Sequence, residues 1–192
     1  MLGILQKQLK SRIEQELKIN VKKAEEITTA PSYAGYPTAE KNTTSLVDLT
    51  YKNTVRTEPE GLREIFGAIS MNTSSDQPKI NVMKETKTQG LISINLNFQV
   101  ASQGKHVVLI PQLTAVIDGR NFKGANEAVK YGTFTVNALD GVPFNASMVS
   151  LSNEALFNCL RGPELMNGLL YVINRVKNKE TELGYDKIWD LK

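Results

Sequence analysis

Residues 90–119 alternate more regularly than any other part of the chain. Ile92, Ile94, Leu96, Phe98 and Val100 are separated by Ser93, Asn95, Asn97 and Gln99, the period of two shown by a strand with one buried face and one wet face. Ser102-Gln103-Gly104-Lys105 then supplies turn formers, and a second apolar run from Val107 to Ile117 ends at Asp118-Gly119. The two runs read as a long antiparallel hairpin closed by a turn dipeptide.

Helical spacing frames this hairpin. From residue 1 to about residue 27 the pattern is helical: Leu2, Leu5, Leu9, Ile13 and Leu17 recur at steps of three or four, with Lys7, Lys10, Arg12 and Glu14 on the other faces. Such a narrow stripe suits a helix laid on a sheet or on its own copy in a neighbouring subunit. Residues 28–45 lose all periodicity and set Tyr33 and Tyr36 among Pro31, Gly35 and Pro37. They read as an extended arm or linker, and because two aromatic rings have little use in a purely solvated segment, Tyr33 and Tyr36 are expected either to pack on another surface or to cover part of this domain's own core.

The core is expected over residues 46–180. Strands are predicted over 46–55, 79–84 and 131–139, with a short helix over 62–69 and an edge strand over 142–149 that carries Pro143. Phe122 is the expected anchor of a mixed stretch over 120–130. Ser152 is placed to cap a helix over 153–160, and Gly162-Pro163 to restart one bearing Leu165, Met166, Leu169, Leu170, Ile173 and Val176 on one face. Residues 181–192 form a tail whose Tyr185, Ile188, Trp189 and Leu191 are apolar enough to dock. The expected fold is α+β, an antiparallel sheet or partly curled barrel with an N-terminal amphipathic helix and a C-terminal helix packed on it.

Composition narrows this to one domain of ordinary globular character, since 192 residues with 41% hydrophobic and 22% charged positions can bury a sizeable core. The 23 basic and 20 acidic residues are interleaved, and a net charge of +3 is a weak pull on any polyanion. Lys79, Lys84 and Lys87, and Lys123 and Lys130 beside Tyr131, are separated by acids and amides and read as ordinary surface, which argues against a nucleic-acid partner. A membrane partner is disfavoured too. No apolar run approaches the roughly 20 residues of a bilayer span, and the first helix has no aromatic anchor. Gln6 and Lys7 interrupt the opening apolar residues before a signal-peptide core forms. The expectation is a cytoplasmic protein, or one incorporated in a particle assembled in the cytoplasm.

Candidate chemistry is sparse. His106 is the single histidine and Cys159 the single cysteine, the latter on the apolar side of a predicted helix, so histidine-activated nucleophiles and cysteine-rich zinc sites have no residues to build on. No phosphate loop, dinucleotide fingerprint or nucleophile elbow occurs. Glu14 and Glu16, Glu25 and Glu26, and Glu180 and Glu182 read as solvated helix faces, and Asp118 and Asp140, each before a glycine, as turn residues. No catalytic, cofactor-binding or metal-binding residue is nominated, and no cofactor is expected.

The chain therefore reads as a non-enzymatic assembly subunit of a homo-oligomer, such as a viral (phage) particle or tail component. Its partners would be its own copies or other assembly proteins. Leu5, Leu9, Ile13, Leu17, Tyr33, Tyr36 and Trp189 are the expected contacts, with residues 1–45 separable from a folded core. The alternative is a helix-grip module for a small molecule or lipid, with Phe66, Phe98, Phe134 and Met166 lining its cup.

Overall fold

The computed structural model describes residues 1–34, 77–120 and 128–183. The strand expected over 46–55, the helix over 62–69, Tyr36, Phe122 and the tail with Trp189 lie outside those residues.

The alternating stretch is the hairpin it promised. β1 (Gly90–Gln103) and β2 (His106–Arg120) pair antiparallel in unbroken register from Gly90↔Gly119 to Gln103↔His106. Gly104, at φ +63°, and Lys105 make the reversal, with glycine in the first central place as a type II′ turn requires. β3 (Ala128–Asn137) pairs with the other side of β2, and its register shifts at Ile117/Asp118. β4 (Val142–Pro143) takes the same side of β2 further along, at Leu109 and Val108. The result is an open antiparallel sheet in the order β1-β2-β3, with β4 also on β2, and the fold is α+β.

The sheet's two faces differ as the alternation demands. Leu113, Ala115, Ile117 and Phe134 are buried on the inner face. On the outer face Gln112 donates to the Asn137 side chain at 2.8 Å, and the Thr114 and Thr135 hydroxyls meet at 3.1 Å. Among the described residues three helices cover the inner face. α1 (Leu2–Arg12) runs on into a π turn, Ile13–Leu17. α5 (Asn153–Cys159) starts at Ser152, whose Oγ accepts the Ala155 N–H at 3.1 Å as its sequence suggests. α6 (Gly162–Lys177) buries Leu165, Met166, Leu169, Leu170 and Ile173. Together with Leu5, Leu9, Ile13 and Leu17 these residues form one core cluster.

The π turn has a geometric reason. Residues spaced by four drift about 40° per step around a helix of 3.6 residues per turn, which would carry Leu17 away from the sheet. One wider turn takes up that drift, and Leu17 is buried beside Ile13. Lys18 then enters the left-handed region at φ 58° and ends the helix, short of the residue 27 that periodicity suggested. The Glu14 carboxylate accepts from Lys10 and from the Val21 N–H, tying the departing chain to the helix; these two bonds hold its pKa below the ordinary carboxylate value.

Two short helices follow, α2 (Ala24–Thr28) and α3 (Pro31–Ala34), the latter packed on α4 (Gln77–Glu85). α4 corrects the strand expected over 79–84. Ile80, Val82 and Met83 satisfy a period of two about as well as a period of 3.6, and so short a run cannot separate them. All three are buried, together with Lys79. Lys79 Nζ donates to Asp118 Oδ2 at 2.8 Å, the two side chains 7% and 4% exposed. Asp118 is thus no turn residue, since β2 continues through it to Arg120, and Lys79 is no surface lysine.

Candidate functional site

The covering helices are shorter than the sheet they cover. Fourteen residues of strand extend about 45 Å, whereas α6, with 16 residues, is about 24 Å long. The hairpin overhangs the helix layer at its turn end. There the inner-face alternation continues with no lid among the described residues: Phe98 is 37% exposed, Val100 70%, Val107 46% and Phe144 50%. Val100 lies opposite Leu109 across the hairpin, and the Phe144 N–H donates to the Val107 carbonyl at 2.9 Å. These side chains therefore stand on one surface.

A groove of about 290 Å³ opens on this surface. Phe98 and Leu109 of the hairpin form one wall, Phe144 and Met148 the second, and Leu156 and Leu160 of the α5 region the third, with Met1 at its end. Its base is a satellite core of Val142, Met148 and Leu160, against which Met1, Leu109, Leu156 and Cys159 pack. Among the described residues no ionisable side chain lines it, so these walls can hold apolar groups by burial but offer nothing to orient or activate a polar substrate. A wider hollow of about 470 Å³ lies between α1 and α5, walled by Ile4, Lys7, Gln8, Ser11, Arg12 and Glu154. It is a valley between polar side chains, and its Arg12 is engaged with Glu16 and with Asn167.

The expected contact residues are placed as follows. Leu5, Leu9, Ile13 and Leu17 are buried in the chain's own core, partnered by the sheet and α6. Lys177 donates to the Leu17 carbonyl, closing the end of that helix against α6. Tyr33 is buried with Ala30 and Val82. Tyr36 and Trp189 lie outside the described residues. Of the side chains expected to line a cup, Phe134 and Met166 fill the main core and Phe98 sits at the groove, so the structure does not bring these three around one cavity; Phe66 is outside the described residues. Cys159 is half-buried under the groove and His106 is exposed at the start of β2.

Phe144, Met148 and Leu109 are the residues sequence reasoning missed. The signal was present in lengths: the apolar alternation of the hairpin outruns the described helices that cover it. Among the described residues no cluster of three or more histidine, cysteine or acidic side chains is placed to hold a metal, and no helix is long and apolar enough to cross a membrane. The chain matches no protein-family model, and searches of the curated proteins and of the solved structures return no match.

Proposed function

We propose that this chain is a non-enzymatic structural subunit that associates with copies of itself through the uncovered hairpin end. The observation that carries this reading is the apolar surface of Phe98, Val100, Val107 and Phe144 around the open groove. A contiguous apolar patch of this kind on a chain of otherwise mixed charge marks a surface used for association. The N-terminal helix, in this proposal, contributes stability to the subunit and not its contacts. A small-molecule function is less well supported, because the groove is at the lower bound of ordinary ligand sites, open on one side and without a polar anchor among the described residues.

Sedimentation velocity over a hundredfold range of protein concentration tests the proposal. The native chain should sediment faster as concentration rises. Val100→Lys, at a largely exposed position where a substitution costs the fold about 0.5 kcal/mol or less, should remain a monomer with an unchanged melting temperature. A native chain that stays monomeric throughout, or a Val100→Lys chain that associates like the native one, would overturn it.

A further inference from the structure

The outer edge of β1 has no partner among the described residues. Edge strands in soluble proteins are ordinarily blunted by charge, proline or a bulge. β1 has none of these along its 14 residues, GLISINLNFQVASQ, and its register with β2 is unbroken. The opposite edge strand, β3, carries an exposed Lys130 and a register shift. We infer that β1 is a docking edge whose occupant is β1 of a second copy, running antiparallel about a twofold axis near the middle of the strand, so that two sheets join into one.

The argument for a second copy is self-complementarity. About a twofold axis residue i meets j while j meets i, so a charge near the centre of the strand would face its like. β1 is free of charge in a chain where 22% of residues are charged. Its outer-face side chains, Ser93, Asn95, Asn97 and Gln99, each both donate and accept hydrogen bonds and can pair with copies of themselves. Antiparallel pairing also sets the uncovered Phe98–Val100 end of one sheet beside the helix-covered end of the other, on the same face. This rests on the self-association proposed above and gives it a geometry.

The hairpin turn says which backbone groups take part. In a two-residue turn the flanking residues, Gln103 and His106, form a hydrogen-bonded pair, and with unbroken register the odd-numbered residues of β1 bond to β2. The N–H groups of Ile92, Ile94, Leu96, Phe98 and Val100 therefore point outward. Residue-resolved amide hydrogen exchange by NMR, at a monomeric and an associated concentration, tests this. In the monomer those five amides should exchange quickly and the odd-numbered ones between them slowly. On association the five should slow by about tenfold or more, and Asn97→Lys should abolish both the slowing and the association.

Association without slowing of the even-numbered amides would overturn the edge pairing and leave self-association through the groove standing. Even-numbered amides already slow in the monomer would show the edge covered by this chain's own remaining residues and would equally overturn it. A chain that never associates would overturn both.

Discussion

Lys18, Lys87 and Arg161 all adopt left-handed backbone conformations, at φ 58°, 54° and 60°, and each follows the end of a helix. Glycine is the usual residue there, because a side chain costs about 1–2 kcal/mol in that conformation. A long cation recovers part of the cost beside the negative end of the helix dipole. At Lys87 the cap is complete: the Thr88 N–H reaches the Met83 carbonyl at 2.8 Å and the Lys87 N–H that of Lys84 at 3.2 Å. Lys87→Gly should keep both bonds, relieve the strain and stabilise the protein by about 1 kcal/mol, seen as a melting temperature about 2–4 °C higher. These residues also explain a misreading. The first helix stops at Lys18 with no glycine or proline to mark it, so periodicity alone carried the prediction on to residue 27.

At the scale of elements, the hairpin, α5 and α6 were legible because each has a local signature: alternation over many residues, a serine cap, and a Gly-Pro restart followed by a broad apolar face. α4 was not, because its identity depends on a partner 39 positions away. Lys79 and Asp118 hold α4 to β2 where the register shifts, and neither residue type announces burial. Removing one partner strands the other charge in the core. Asp118→Ala should therefore cost about 3–5 kcal/mol in urea denaturation, while the double change Lys79→Met with Asp118→Leu should recover most of it. α1 was legible as a helix but not in its destination, since a narrow stripe fits a sheet as well as a neighbouring subunit. The structure seats it in the main core beside Leu113 and Ile173. Residues 1–17 are accordingly part of the folded body and not a detachable arm.

For the molecule as a whole, what the sequence conveyed was class, an α+β chain with a sheet wet along the middle of one face and covered on the other; it did not convey that α4 buries Leu91 and Asp118 at one end of the wet face. It did not convey the candidate site, which arises from a mismatch between two elements remote in sequence, a strand pair about 45 Å long under a helix about half that length. Neither element is unusual alone. An interface made from apolar side chains and uncharged strand edges has little for salt to screen. Self-association should therefore hold steady between low and physiological ionic strength and strengthen in sodium sulfate, which favours burial, as read by the sedimentation boundary. Loss of association on modest addition of sodium chloride would point to charge pairing instead.

Met1 has a bearing on how such experiments are prepared. Its side chain lies at the end of the groove, and its carbonyl accepts the first hydrogen bonds of α1. Any polypeptide fused ahead of it, an affinity handle included, would emerge at the mouth of the groove and compete with whatever settles there. Stoichiometry is best measured on protein whose amino terminus carries no such addition.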